Sequence, residues 1–122
     1  MRIARSSETP FEPMDATNFT GPVRRRDLGR TDAVDGTGLV VAFDPGVRNS
    51  WHRHPGGQLL YVLDGTARVG TRDGQVVELA AGDLVEAAAD EEHWHGASED
   101  APMTHLALSF GDTVWLEPVS DG

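Results

Sequence analysis

The chain contains 122 residues with a formal net charge of −10, no cysteine, and ten basic residues that are all arginine. This composition fits a single domain without disulfides, thiolate metal sites or lysine-based catalysis, and its negative charge disfavours nucleic acid and anionic membranes as partners. Because no apolar run approaches the ~20 residues of a membrane span and the N-terminus lacks the apolar stretch of a signal peptide, we expect a soluble, cytoplasmic protein.

The N-terminal stretch, residues 1–17, is rich in Ser, Glu, Thr, Pro and Asp, and it predicts an extended arm without a core of its own. Residues 18–122 are predicted to form one barrel domain. The first segment of this domain, 18–28, has the pattern of a peripheral strand, and its three successive arginines predict a solvated edge.

The rest of the chain consists of short segments with strand character, separated by turn residues. The predicted strands are 38–44, the segment around 51–54, 58–64, 66–71, 75–79, 83–88, the segment around 93–97, 103–110 and 113–118. Asp64-Gly65 and Asp73-Gly74 are typical of two-residue hairpin turns. Many short strands at this spacing, without a long helical pattern, predict an all-β sandwich or barrel.

All five histidines lie in three short segments of this β region. His52 and His54 form one H-x-H pair, His93 and His95 form a second, and His105 lies in PMTHLAL. Side chains at positions i and i+2 of a strand lie on one face, ~6–7 Å apart, so the two imidazoles of such a pair can reach one metal ion. Two pairs favour a shared metal site over histidines that only form hydrogen bonds in a core.

The residues around the first pair have a distinctive spacing. Gly46 precedes the pair, Gln58 follows it after three residues, and Gly65 follows six residues later. This pattern resembles the first motif of the cupin superfamily, in which glutamate usually stands at the position of Gln58. A looser second motif begins at Gly82-Asp83 and includes His93. The resemblance implies a double-stranded β-helix, or jelly-roll barrel, with a metal inside it.

Four strings also resemble, in the same order, small manganese-dependent cupins that act as hydroxynitrile lyases, and their uncharacterised relatives. They are FTGPVR, FDPG with WHRHPGGQ, HWHGA and APMTHLAL. The resemblance implies metal ligands at His52, His54, Gln58 and His93, catalytic candidates at His105 and His95, and pocket-lining residues at Leu39, Val41 and Ser109. It also implies one divalent metal per chain, with manganese favoured.

The chemistry of the implied ligand set is consistent with catalysis. Three imidazoles and one amide carbonyl carry no negative charge, so a divalent ion there is a stronger Lewis acid than beside a glutamate. Nitrogen and oxygen ligands suit Mn, Fe, Zn, Ni or Cu and do not select one of them. In the alternative interpretations, Gln58 only caps the turn after Pro55-Gly56-Gly57, and His105 only orients another histidine.

The segment 103–110 has two different faces by strand alternation. His105 shares one face with the small residues Ala107 and Ser109, which fits a pocket with space for a ligand. The other face is apolar. Together with the arm and the exposed edge of 18–28, this apolar face predicts a homodimer, because an open edge and an apolar face both need covering.

These observations lead to three hypotheses about function. The first is a lyase acting on a small hydroxylated or carbonyl substrate, with cyanohydrin cleavage as the form that the resemblance suggests. The metal would polarise the substrate oxygen and His105 would move the proton. The alternatives are a cupin oxygenase that uses Fe or Mn, and a non-enzymatic barrel that binds a metal or small molecule. Oxygen consumption would separate the first alternative from the lyase.

Overall fold

The computed structural model describes residues 1–31 and 35–120, and within these ranges the chain is almost entirely β-structure. The strands are β1 (Glu12–Pro13), β2 (Val23–Thr31), β3 (Gly36–Phe43), β4 (His52–Arg53), β5 (Gln58–Thr71), β6 (Val76–Ala80), β7 (Leu84–Ala87), β8 (His93–Ala97), β9 (Met103–Phe110) and β10 (Val114–Trp115). Two 3-10 turns, Ser6–Glu8 and Ala16–Asn18, precede the barrel. None of the helices in the described ranges is long and apolar enough to cross a membrane.

The strands form a curled antiparallel sheet in the order β1-β2-β3-β9-β5-β8-β4-β10. The first half of β5 pairs with β9 and β7, and its second half pairs with β8 and β6. The long β5 therefore belongs to both halves of the barrel. This architecture confirms the prediction of an all-β jelly-roll barrel.

The hairpin predicted at Asp64-Gly65 is wrong, because β5 continues through these residues. The pairing with β9 has a bulge between Val62 and Asp64, and Gly65 has a φ of 81°. A Cβ atom at Gly65 would lie 1.9 Å from the carbonyl oxygen of Pro102, so only glycine fits. The chain bends here and passes from one half of the barrel to the other, and it does not reverse. The turn predicted at Asp73-Gly74 does join β5 to β6.

The apolar core is small and lies at one end of the barrel. It consists of Val23, Val41, Phe43, Val47, Val62, Ala67, Ala97 and Met103. Met14 and Phe19 pack against this cluster, and the Met14 amide donates to the carbonyl oxygen of Val23 at 2.9 Å. β1 also pairs with β2 of the same chain, so the N-terminal segment contributes to the barrel. The domain boundary at residue 17 stays a prediction.

Candidate metal centre and cavity

The five histidines converge inside the barrel, and all five side chains are buried. The ring centroid of His52 lies 4.4 Å from that of His93 and 5.1 Å from that of His54. The rings of His95 and His105 are 4.9 Å apart. One nitrogen from each of His52, His93 and His95 lies within 4.8 Å of the other two, so these three residues form a group that can hold a metal ion.

Strand pairing explains why histidines that are distant in sequence meet. β4 pairs with β8 at His52 and His93, which brings together the first members of the two H-x-H pairs. β5 pairs with β9 so that Gln58 lies opposite Ser109. The same pairing places His105 opposite Val62, on the inner side of the barrel.

Backbone carbonyls orient two of the imidazoles. Nδ1 of His52 lies 2.9 Å from the carbonyl oxygen of Ser50, and Nδ1 of His93 lies 2.9 Å from the carbonyl oxygen of Glu91. A carbonyl oxygen only accepts, so each Nδ1 carries the proton and donates it. In the neutral ring the lone pair is then on Nε2, which is the arrangement that supporting hydrogen bonds impose on histidine ligands of metals.

Burial keeps the whole cluster neutral. Desolvation, with a further contribution from the neighbouring His93, lowers the pKa of His52 to about 3 and that of His54 to about 4. Desolvation alone lowers the pKa of His105 to about 3, and it also lowers the pKa of His93 and that of His95. Neutral imidazoles are the form that binds metal ions, so the cluster needs no deprotonation at neutral pH.

The amide of Gln58 faces His93 in a way that favours a cation between them. Gln58 Nε2 donates to Ser109 Oγ at 2.9 Å, which orients the amide and turns Oε1 towards His93 Nε2 at 3.0 Å. Both of these atoms carry lone pairs, because the His93 proton is on Nδ1. Two acceptors at this distance repel each other unless a cation binds both. Two ligands ~2.1 Å from a metal and at right angles to each other lie ~3.0 Å apart, so this pair fits a metal ion.

Two imidazole nitrogens in the cluster have no partner. Among the described residues, the buried Nε2 atoms of His54 and His105 make no hydrogen bond. Nδ1 of His54 lies 3.3 Å from Thr113 Oγ1, so Nε2 is the ring nitrogen of His54 that lacks a partner. An unpaired buried polar atom is costly, and a bound group that satisfies it removes the cost. His54 Nε2 fits a metal donor, and His105 Nε2 fits a contact with a ligand.

His95 is held by a residue that the sequence did not single out. The backbone amide of His95 donates to Asn49 Oδ1 at 2.8 Å. The Asn49 Nδ2 atom lies 3.3 Å and 3.2 Å from the two ring nitrogens of His95. Asn49 is buried, yet in the sequence it stands near the Pro45-Gly46 turn and has the pattern of an ordinary loop residue.

A cavity of about 70 Å³, or about 420 Å³ when the space open to solvent is counted, lies against the histidines. Leu39, Val41 and Ser109, the three pocket residues expected from the sequence, all line it. Met14, Phe19, Thr113 and Trp115 also line it and were not predicted. They come from the two ends of the chain, and of the four only Phe19 lies in one of the strings that carry the resemblance, FTGPVR. The cavity is therefore polar on the histidine side and apolar elsewhere.

A curled antiparallel barrel with a buried three-histidine group defines the class of small β-barrels with an interior site suited to a metal. The family described as "Cupin domain" matches residues 39–109 of this chain. The chain belongs to the cupin family, and the resemblance predicted from its motifs is confirmed.

Two relatives share substantial sequence identity with the chain. An (R)-mandelonitrile lyase from Granulicella tundricola is 42% identical over 126 residues, which cover 99% of this chain and 96% of that protein. A cupin-like protein from Thermotoga maritima has a crystal structure that is 34% identical, with a TM-score of 0.83 over 89% of this chain and 86% of that one.

A third similar structure shows the fold alone. It is a polyketide cyclase from Streptomyces resistomycificus, with a TM-score of 0.79 and 18% identity over 100% of this chain and 87% of that one. A lyase and a cyclase thus share this architecture, so the barrel by itself does not decide the reaction. The side chains of the site must carry the functional argument.

Proposed function

We propose that this protein is a metal-dependent lyase that cleaves a small cyanohydrin to a carbonyl compound and hydrogen cyanide. One observation carries the proposal: the buried His105, whose Nε2 atom has no hydrogen-bond partner, lines a cavity beside the three-histidine group. This arrangement provides a proton acceptor next to a site for a Lewis acid. The similarity to a protein named (R)-mandelonitrile lyase supports the choice of substrate.

We propose His52, His54, Gln58 and His93 as the residues that hold one divalent ion. The open Nε2 of His54 and the facing lone pairs of Gln58 and His93 support this set. His95 is within ligand distance of His52 and His93, but its ring already contacts the Asn49 amide. The resemblance favours manganese, while the nitrogen and oxygen donors also suit Fe, Zn, Ni or Cu. An ion bound there supplies Lewis acidity towards the substrate oxygen.

The residues of the chain then account for the proton transfers. Burial lowers the pKa of His105 to about 3, so the ring is neutral at pH 7 and its unpartnered Nε2 is available to accept the proton of the substrate hydroxyl. The bond between the carbinol carbon and the nitrile carbon breaks as the carbonyl group forms. The departing cyanide takes the proton back as hydrogen cyanide. His95, whose ring lies 4.9 Å from that of His105, is the second candidate for this proton transfer.

The decisive experiment measures metal content and turnover together. Protein purified without added metal is analysed for bound metals, stripped with a chelator, and reloaded with Mn, Fe, Zn, Ni or Cu in separate samples. We expect about one ion per chain and cyanide release from racemic mandelonitrile only in loaded samples. Release that is equal in stripped and loaded protein would contradict the metal dependence. Oxygen uptake without cyanide release would contradict the lyase.

We also propose that the protein forms a homodimer through the outer face of β5, β7 and β9. Strand pairing puts Tyr61, Leu84 and Leu106 side by side on this face. Leu63, Leu84 and Leu108 are 46%, 59% and 37% exposed. A large exposed apolar patch usually marks an interaction site. This face can pack against the same face of a second copy about a twofold axis, which buries the apolar side chains of both copies.

Two matched aspartate variants test the dimer. Leu84→Asp places a charge on the proposed interface, while Val76→Asp places one on β6, at a valine that is similarly exposed but lies outside this face. We expect light scattering at micromolar concentration to give a dimeric mass for the wild type and Val76→Asp, and a monomeric mass for Leu84→Asp. A monomeric wild type would contradict the proposal.

A further inference from the structure

The cavity beside the histidines adjoins a second hollow. This outer hollow has a volume of about 470 Å³, or about 820 Å³ when the space open to solvent is counted. The residues that line it come mainly from the N-terminal segment. Its lining consists of Pro13, Met14, Asp15, Thr17, Asn18, Phe19, Arg25 and Trp115. Met14, Phe19 and Trp115 line both spaces, so these three side chains form a wall between them.

The wall is made of packed apolar side chains. The ring of Phe19 meets that of Trp115 edge-on at 5.9 Å, and the Trp115 ring lies 4.9 Å from that of His52. Phe19 also contacts the Phe43 ring at 5.9 Å, at the edge of the core. The wall therefore bounds the inner cavity on one side, at a short distance from the candidate metal ligand His52.

Hydrogen bonds hold the backbone of this segment in place. Asp15 accepts from the amide of Thr17 at 2.8 Å and so caps the 3-10 turn that precedes Phe19. The amide of Phe19 donates to the carbonyl oxygen of Ala16 at 3.0 Å, and the amide of Thr20 donates to the carbonyl oxygen of Arg48 at 2.9 Å. Side chains on a backbone fixed in this way make a stable boundary, and stable boundaries set the size of the ligand that a pocket accepts.

We propose that Met14, Phe19 and Trp115 are specificity-determining residues that limit the apolar part of the ligand to about one ring. In this proposal a one-ring ligand occupies the space between the histidines and the wall. A two-ring ligand needs the outer hollow as well, and the wall excludes it. This inference rests on the proposed function for the ligand class, an alcohol or carbonyl compound with an apolar body.

Removal of one wall side chain should join the two spaces. Phe19→Ala and Met14→Ala each open the wall without altering Trp115, which touches the candidate ligand His52. Phe11→Ala is the matched control, because Phe11 belongs to the same segment and lines neither space. Its ring centroid lies 4.0 Å from the guanidinium carbon of Arg26. Two different wall variants ensure that a folding defect in one of them does not decide the outcome.

The experiment compares the binding of benzyl alcohol and 4-biphenylmethanol by calorimetry, alongside cyanide release from mandelonitrile. We expect the wild type and Phe11→Ala to favour the one-ring alcohol. In Phe19→Ala or Met14→Ala, the preference should move towards the two-ring alcohol by at least about tenfold, since a second ring buries much apolar area. An unchanged preference in both wall variants, or equal binding of both alcohols by the wild type, would overturn the inference.

The two proposals fail in different ways in this experiment. If no variant releases cyanide but the binding preference shifts, the lyase is wrong and the wall inference stands. If the wild type releases cyanide and the preference does not shift, the lyase stands and the wall inference is wrong. Failure of the wild type to bind benzyl alcohol would overturn the wall inference, because the inner cavity would then not accept one ring.

Discussion

The two sides of the cavity are built differently, although both belong to one barrel. We call His52, His54, His93 and His95 the histidine wall, and Leu39, Val41, His105, Ala107 and Ser109 the β9 wall. The histidine wall comes from β4, the residue after it, and β8, and its side chains contact one another. The β9 wall comes from β3 and β9 and is apolar or small except for His105 and Ser109.

This difference shows how the site divides its tasks. The histidine wall holds several lone pairs at ligand distance, which suits a metal ion and little else. The β9 wall lines the cavity with small and apolar side chains. It also carries an imidazole nitrogen of His105 without a partner and the Ser109 hydroxyl that orients Gln58. Loss of one of the proposed ligands of the histidine wall, His52, His54 or His93, should therefore remove the metal. Loss of a β9-wall residue should lower turnover or metal affinity by a smaller factor.

The largest expected effect comes from the histidine wall. His52→Ala and His54→Ala should each weaken metal binding by more than about 100-fold, which exceeds the loss usual for a hydrogen-bonding partner of a ligand, and turnover should fall to background. His95→Ala is the matched control, because Asn49 already contacts its ring, and it should keep its metal. Metal content after dialysis against a chelator measures this. Metal loss in His95→Ala with retention in His54→Ala would exchange the roles of these two residues.

The next largest effect concerns His105 of the β9 wall. His105→Ala should leave the metal content intact, while cyanide release falls by roughly 10²–10⁴-fold, the usual contribution of a positioned proton donor or acceptor. Metal content and rate are measured on the same sample. If His105→Ala loses its metal as completely as His52→Ala, then His105 is a ligand and the division between the two walls is wrong.

A smaller effect is expected where the walls meet, at Gln58. Ser109→Ala removes the hydroxyl that accepts from Gln58 Nε2, so metal affinity should fall by ~10–100-fold. Gln58→Glu should keep the metal but slow turnover, because its negative charge weakens the Lewis acidity of the ion. Chelator competition measures the affinity of each variant. Unchanged affinity in Ser109→Ala would show that the Ser109 hydroxyl does not position the amide.

The last prediction concerns the pH dependence of stability in the metal-free protein. His52 and His105 have pKa values of about 3 when folded, against 6.5 for an unperturbed histidine. Below pH 6.5 the unfolded chain therefore binds more protons than the folded one, and the free energy of unfolding falls as the pH falls towards those values. Thermal unfolding between about pH 7 and about pH 5 should show a decreasing Tm. His105→Leu should show a shallower decrease, and an equal slope would mean that His105 is protonated in the folded state.

Much of the histidine wall could be predicted from the sequence because strand alternation is a local rule. The H-x-H pairs place their imidazoles on one face whatever the rest of the chain does. The spacing from Gly46 through Gln58 to Gly65 matches a known motif and indicated the barrel. The resemblance to the small cupins implied the cavity residues Leu39 and Val41. The hairpin turn predicted at Asp73-Gly74 is confirmed, because the strands on its two sides, β5 and β6, pair with each other.

Other features depended on contacts between distant parts of the chain. Asp64-Gly65 has the composition of a hairpin turn, but β5 continues through these residues and pairs with β9 there. The backbone of Pro102 lies close to Gly65, and the strand bends at this glycine. Met14 and Phe19 lie near the N-terminus, outside the histidine motifs. The pairing of β1 with β2 places Met14 at the cavity, and a β-bridge with Asn49 places Phe19 there.

The sequence by itself determined the β-rich fold, the family and the residues with the chemistry to bind a metal. Each of these follows from local periodicity and motif spacing. The tertiary structure decided which histidine nitrogens face one another, and that Asn49 holds His95. It also decided that residues near the two ends of the chain line the cavity. These features depend on strand register and on packing between residues far apart in sequence, and no local pattern of residues specifies either.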